Sequence, residues 1–203
     1  MIDRMKDVRL LGFCALAMFA CSSPTQTPPP PSVNTTDVNV PGHATREEVV
    51  TVSAVVESID QKTRMVTLRD SEGKTVTFRA DEAVRNLTQV SRGDRVDATY
   101  YRSLVMDLHK KGQATPSVSA ASASGRAAAG ETPGAAGGQT IQMIATIRAL
   151  DRKNQTATLE SPSGELTTVS VRNPAQFDVA EVGDLVEINY TEAVAISVEK
   201  STP

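Results

Sequence analysis

The sequence predicts an all-β protein that consists of two tandem, small, five-stranded barrels joined by a flexible linker. Three observations lead to this prediction: one long segment is written twice, apolar residues alternate within it, and glycine turns separate the alternating runs. Most of residues 50–108 recurs over residues 141–198, with one residue deleted in a connection. Duplication of one folding unit leaves this pattern, because connections tolerate deletions that strands do not. The matched residues of the first copy are Ala54, Asp60, Lys62, Thr67, Leu68, Gly73, Thr77, Gly93, Asp94, Val96 and Tyr100.

The first strand of each repeat is predicted from the alternation of apolar and polar residues, which is typical of a half-buried strand. In the first copy the inward residues are Val50, Val52, Ala54 and Val56. Ile59 and Leu150 then fall out of phase in the two copies. A bulge near Glu57 and Arg148 explains this shift, and a long bent first strand is how a small barrel closes.

The remaining strands follow at turns. Hairpins join the second and third strands, with Gly73 and Gly164 where a positive φ is expected. The connection around Leu87, like its counterpart in the second copy, is long enough for one short helical turn. A Gly-Asp turn opens the fourth strand of each copy, and residues 104–108 and 194–198 are predicted as short fifth strands. Five strands with a bent first strand indicate an OB-like barrel.

A family resemblance is carried by residues 55–60, 66–68 and 92–96. In these runs the chain resembles an uncharacterised family of OB-like repeats found in periplasmic proteins and lipoproteins of Gram-negative bacteria. It is similar, more distantly, to the periplasmic copper and silver chaperone of the Cus efflux system. That similarity implies His, Met and Trp ligands, but the chain has no Trp, and residues 70–74 and 161–165 contain neither His nor Met. We therefore predict no metal site and no cofactor.

The first residues are predicted to direct the chain to the cell envelope. Residues 1–20 have basic residues followed by an apolar run, which is typical of a signal peptide and too short to span a bilayer. Residues 18–21 resemble a bacterial lipobox, and this resemblance implies that Cys21 is lipidated and becomes the N-terminus. Ser22 implies an outer-membrane lipoprotein that faces the periplasm. Met18 and Phe19 depart from the commonest lipobox, so ordinary cleavage after Ala20 is the alternative.

The domain boundaries are predicted from changes in composition. Residues 21–45, rich in Pro, Ser and Thr, are predicted to be a lipid-anchored tether, and residues 46–110 form the first OB-like module. Residues 111–139 are rich in Ala, Gly and Ser with almost no bulky apolar residue, which predicts a flexible linker. Residues 140–200 form the second OB-like module.

Composition excludes several function classes. The net charge of −3, with 3% aromatic residues, gives no basic surface for nucleic acid. Neither His43 nor His109 has a Ser or Cys nucleophile at an informative spacing, so we predict no enzyme and no catalytic residue. Met106 and Met143 are predicted to fill the core.

The sequence therefore predicts a non-enzymatic envelope lipoprotein that is anchored in the membrane and acts as a tethered binding or adaptor module for a protein or glycan partner. The strand edges, and the loops that join the first to the second strand and the fourth to the fifth strand, are the first places to look for that partner. The residues that bind it, and any small-molecule substrate, are not predicted. The alternative is a periplasmic protein that binds or buffers copper or silver cations, through the acidic second repeat or scattered methionines.

Overall fold

The computed structural model describes residues 27–82 and 84–201, and its regular elements are almost all strands. The prediction of an all-β fold is confirmed. The predicted signal peptide and Cys21 lie outside the described residues. The strands are β1 (Ser32–Val40), β2 (His43–Asp60), β3 (Met65–Arg69), β4 (Thr75–Arg79), β5 (Arg95–His109), β6 (Ser117–Arg126), β7 (Gly134–Asp151), β8 (Thr156–Glu160), β9 (Leu166–Ser170) and β10 (Leu185–Glu199). A 3-10 helix (Leu87–Gln89) and the short helix α1 (Gln176–Val179) confirm the predicted helical turns.

The strands form one open antiparallel sheet in the order β4-β3-β2-β5-β10-β7-β8-β9, with β1 added to β2 and β6 added to β7. The prediction of two separate barrels on a linker is therefore corrected. Its error lies in the fifth strands: residues 104–108 and 194–198 do not fold back but continue the fourth strands as parts of β5 and β10. The physical reason is that residues 101–103 contain no Gly, Pro, Asn or Asp to make a turn.

The centre of the sheet is the pairing of β5 with β10, which joins the two repeats. The pairing runs from His109 opposite Leu185 to Arg95 opposite Glu199. Arg102 lies opposite Glu192, and the two residues occupy equivalent positions in the two repeats. The two repeats are therefore related by an approximate two-fold axis through this pair, as the subunits of an isologous dimer would be.

The predicted tether and linker both contain strands. Residues 32–40 form β1, which pairs with β2 across a turn at Gly42 with a φ of 82°. Residues 117–126 form β6, which pairs with β7. The prediction of flexible coil in these two segments is therefore wrong. A lack of bulky apolar residues means that a segment cannot build a core, but its backbone can still pair with the edge of an existing sheet.

The hydrophobic cores are shared between the repeats. In the first core, Val56, Val66, Ala80, Leu87 and Val90 are joined by Val198 from the end of β10. In the second core, Ala145, Ile147 and Leu159 are joined by Leu108 from the end of β5. Because each core is completed by the last strand of the other repeat, neither repeat buries its apolar residues by itself.

Candidate functional site

The β1–β2 hairpin extends from the first repeat onto the second, where an amide side chain holds its turn. Gln176 Nε2 donates a hydrogen bond to Val40 O at 2.7 Å and another to Asn39 Oδ1 at 2.9 Å. The backbone N–H of Gly42 donates to Gln176 Oε1 at 2.8 Å. One side chain at the start of α1 thereby fixes the hairpin through both its donor and its acceptor.

The β6–β7 hairpin makes the reciprocal contact with the first repeat. Asn86 Nδ2 donates to Ala128 O at 2.6 Å and to Glu131 O at 2.9 Å, and Gly130 N–H donates to Asn86 Oδ1 at 3.2 Å. Asn86 and Gln176 occupy equivalent positions in the two repeats. The hairpins are therefore exchanged between the repeats, and the same kind of amide clamp holds each of them.

Besides the hairpin contacts, a buried aspartate of each repeat binds the lysine that follows the last strand of the other repeat. Asp94 is 1% exposed and accepts hydrogen bonds from Lys200 Nζ at 2.9 Å and from Ser201 N–H at 3.1 Å. Asp184 is 3% exposed and accepts from Lys110 Nζ at 2.9 Å. Burial alone would raise the pKa of both carboxyl groups, but these hydrogen bonds outweigh it and lower both pKa values below the ordinary range.

These aspartates belong to the Gly-Asp turns that the sequence matches in both repeats. The repeat pattern predicts only a turn role for Asp94 and Asp184 and does not reveal their ion pairs. The signal that could have revealed the pairs is the match between Lys110 and Lys200, which follow the last strands at the same repeat spacing.

Two apolar cavities lie between the exchanged hairpins and the cores. The larger cavity, of about 820 Å³, lies over the first core and is bounded by the β6–β7 hairpin and the end of β10. The smaller cavity, of about 350 Å³, lies over the second core and is bounded by the β1–β2 hairpin and the end of β5. Both volumes fall in the range of ligand pockets, roughly 300–1,000 Å³.

The difference in volume follows from the side chains that the two repeats place at equivalent positions. Arg46 and Phe177 line the smaller cavity, and the residues at the matching positions of the larger cavity are Gly137 and Leu87. As a result the larger cavity is incompletely filled, and four large apolar residues of its lining stay exposed. They are Phe78 at 42%, Val84 at 38%, Val194 at 46% and Ile196 at 45%. Exposed apolar residues grouped in one concave place are typical of a binding surface.

The two ends of the sheet are free edges. β4 pairs only with β3, and β9 pairs only with β8, among the strands of the described residues. Every residue of both strands is exposed, including Val76 at 58% and Leu166 at 62%. An exposed edge strand with apolar side chains is a template on which another extended chain can pair.

The histidines lie in the sheet and make cross-strand contacts. His43 Nδ1 is 2.6 Å from Asp107 Oδ1, and His43 Nε2 is 2.8 Å from Thr45 Oγ1. The order hydroxyl, imidazole, carboxylate is that of an activated nucleophile. However, His43 lies directly opposite Asp107 in the β2–β5 register, so ordinary cross-strand pairing accounts for the contact. His109 Nε2 is 2.9 Å from Glu187 Oε2, and this contact is diagonal, because His109 lies opposite Leu185 in the β5–β10 register.

Of the remaining residues that the sequence singled out, the two methionines lie beside the second core and its cavity, and Cys21 lies outside the described residues. Met143 packs against the second core, as the sequence predicts, whereas Met106 lines the smaller cavity. Within residues 27–82 and 84–201, no group of three or more His, Cys, Asp or Glu side chains could hold a metal ion. In the same residues, no helix has the length and apolar character needed to cross a membrane. The lipidation of Cys21 stays a prediction.

Comparison of this chain with protein-family models, with curated proteins and with solved structures gives no match. The resemblance to the envelope OB-like repeats therefore stays a prediction, and function is inferred from the edges and cavities themselves.

Proposed function

We propose that this chain is a non-enzymatic lipoprotein of the bacterial cell envelope that binds a protein partner by strand addition at β4 and β9. The observation that supports this proposal best is the pair of free, fully exposed edges at the two ends of one sheet. In strand addition, main-chain hydrogen bonds supply affinity and side chains on alternate positions supply specificity.

A protein partner fits these edges better than a glycan does. The backbone of an extended polypeptide matches the unpaired N–H and C=O groups of an edge strand, and the exposed Val76 and Leu166 offer apolar contacts to its side chains. Copper or silver binding through scattered methionines or the acidic second repeat stays the alternative from the sequence.

The duplicated architecture can raise the apparent affinity for a partner that binds each edge only weakly. A partner with two extended segments, or two copies of a partner that are themselves linked, would engage both edges of one molecule. The second contact would then form at a high effective concentration, which can raise the apparent affinity by about 10²–10⁴ without any new type of contact. Anchoring at Cys21 to the outer membrane, facing the periplasm, would hold this sheet near envelope proteins.

The proposal is tested by photo-crosslinking in living bacteria that produce the full chain. A photoreactive amino acid replaces Val76 on the β4 edge, and in a control it replaces Ser197, which is exposed but lies in β10 between two paired strands. We expect one discrete envelope protein to be crosslinked from position 76, with a lower yield when Leu166→Lys places a charge on the other edge. Equal adducts from both positions, or none from position 76, would refute the proposal.

Membrane anchoring is tested separately with Cys21→Ala. We expect this variant to lose acylation and to leave the membrane fraction. Retention of the variant in the membrane fraction would contradict the proposed anchor.

A further inference from the structure

The larger cavity is unfilled because small side chains occupy positions where this fold can hold larger ones. Over the second core the β1–β2 hairpin forms the equivalent wall, but Arg46 and Phe177 reduce the cavity there to about 350 Å³. At the matching positions, Gly137 and Leu87 leave about 820 Å³ over the first core. The smaller cavity is thus an internal comparison, which shows that this fold accepts larger side chains at these positions.

The lining of the larger cavity favours a hydrocarbon occupant. Its walls are mostly strands whose backbone groups are already paired; Gly137, for example, lies between Ser124 of β6 and Val194 of β10. A peptide or a glycan inserted here would bring N–H or hydroxyl groups that need hydrogen-bond partners, and leaving such groups unpaired is unfavourable. An acyl chain brings none, and it would cover the exposed Phe78 and Ile196.

One positive charge lies in the lining of the larger cavity, on an exposed side chain. Among the described residues that line the larger cavity, Arg126 alone is charged. Its side chain is exposed and makes no ion pair or hydrogen bond with the described part of the chain. In the smaller cavity, by contrast, Arg46 and Arg172 both lie near Asp37 Oδ2, at 3.9 Å and 3.7 Å. An unpaired guanidinium next to an apolar cavity complements an amphiphile with an anionic head.

We propose that the larger cavity is a binding site for one long-chain fatty acid, with the acyl chain over the first core and the carboxylate at Arg126. No covalent step is involved. This site is distinct from the edge pairing proposed for the protein partner, because the acyl chain occupies the space between the β6–β7 hairpin and the core, and β4 keeps its free edge.

The proposal is tested by titrating the mature chain with the fluorescent fatty acid cis-parinaric acid and displacing this probe with palmitate. The chain carries Cys21→Ala, so that no covalently attached acyl chain competes for the cavity. We expect saturable binding of one probe molecule per chain and complete displacement by palmitate. A chain that does not bind the probe would overturn the proposal.

Gly137→Leu places a side chain in the cavity. A Cβ at Gly137 meets no heavy atom closer than 3.9 Å, so the substitution is compatible with the fold. We expect it to weaken probe binding about tenfold or more, because the added side chain and the acyl chain compete for one space. The matched control is Ala121→Leu on the other face of the same hairpin, which should leave affinity unchanged. If Gly137→Leu fails to fold, Leu87→Phe, which copies Phe177, tests whether filling the same cavity weakens probe binding. If whichever of these two variants folds binds the probe with unchanged affinity, the proposal is overturned.

The head-group contact is tested with Arg126→Gln. We expect this change to weaken palmitate about two- to fivefold, the effect of an exposed ion pair, and to leave displacement by the uncharged 1-hexadecanol unchanged. A third arm uses vesicles of phosphatidylglycerol, a diacyl source of negative charge. Arg126-dependent binding to these vesicles, without binding of palmitate, would overturn the proposal in favour of a membrane surface. None of these measurements involves Val76. A failure of the fatty-acid proposal therefore does not affect the crosslinking test of the protein partner.

Discussion

Replacing Lys200 with methionine should destabilise the first repeat, although Lys200 follows the last strand of the second. Lys200 Nζ donates to Asp94 Oδ2 at 2.9 Å, and the Asp94 side chain is 1% exposed. A hydrogen bond to a charged group contributes about 1.5–3 kcal/mol. Because the Lys200 side chain is 46% exposed and therefore partly screened by water, we expect a loss of about 1–2 kcal/mol in the free energy of unfolding. Methionine keeps the length of the side chain and removes only its charge.

The assay combines urea unfolding, followed by circular dichroism, with hydrogen exchange of the folded protein. Urea unfolding gives the loss of stability, and a chain of this length should also melt about 2–4 °C lower for each kcal/mol lost. Hydrogen exchange locates the loss: we expect faster exchange in β3 and the 3-10 helix of the first repeat. Lys110→Met should have the reciprocal effect, with faster exchange in β8 and α1, because Lys110 binds Asp184. Lys153→Met, at an exposed lysine without an ion pair in the described residues, is the control.

The pH dependence of stability gives an independent check on the same contact. The pKa of Asp94 is below its ordinary value of 3.8, because the hydrogen bonds outweigh burial. A carboxyl group with a lower pKa in the folded state stabilises the protein fully above its unfolded pKa, and this contribution is lost as the pH falls through the folded pKa. The urea midpoint should therefore fall below about pH 4, and it should fall less steeply in Lys200→Met. The reasoning is refuted if Lys200→Met changes exchange only in the second repeat, or matches Lys153→Met in stability.

Three further predictions follow from individual contacts. Tyr190 has its pKa raised to about 12 by its hydrogen bond to Glu192, so an ultraviolet titration should show late ionisation of Tyr190, and Glu192→Gln should lower that pKa towards 10. Asn86→Asp removes two donors to the turn of the β6–β7 hairpin, so limited proteolysis should cut that turn faster, with a loss of about 1–2 kcal/mol, whereas an unchanged cleavage rate would contradict the clamp. Ile147→Ala should cost about 3–4 kcal/mol in urea unfolding and more than Val56→Ala, since it removes a larger buried side chain; equal losses would contradict this assignment of the cores.

Local features were predictable from the repeat because they depend on residues close in sequence. The out-of-phase Ile59 predicts a bulge, and the β2–β3 register shifts between Val56 and Ser58. The second copy shifts at the equivalent place, between Ile147 and Ala149. The hairpin glycines adopt the expected positive φ, as in Gly73 at 83°. In each case a periodicity or a turn residue specifies the backbone by itself.

The path of the chain between the repeats was not predictable from alternation. Alternation shows which residues share a face, but it does not show what covers that face. Val52 has the inward phase of Val56, yet Val52 is 44% exposed and Val56 is 0% exposed. The long strands β5 and β10 were missed because a turn was assumed at residues 101–103, which contain no Gly, Pro, Asn or Asp.

The candidate site could be predicted only in part. Strand edges were expected to bind a partner; β4 and β9 end the strand order of the sheet, and binding at their edges stays a prediction. The larger cavity was missed because it depends on residues far apart in sequence. Gly137 belongs to a segment with few bulky residues, and only the folded sheet brings it over Leu87. Comparing the repeats at Gly137 and Arg46 would have indicated that one copy is emptier than the other.

The most direct test of this architecture is the pattern of nuclear Overhauser contacts between backbone protons of β5 and β10 in the full chain. If the repeats share one sheet, cross-strand contacts should extend along the whole pairing, centred on Arg102 opposite Glu192. Contacts confined within each repeat, with none between β5 and β10, would contradict the shared sheet and restore two separate modules.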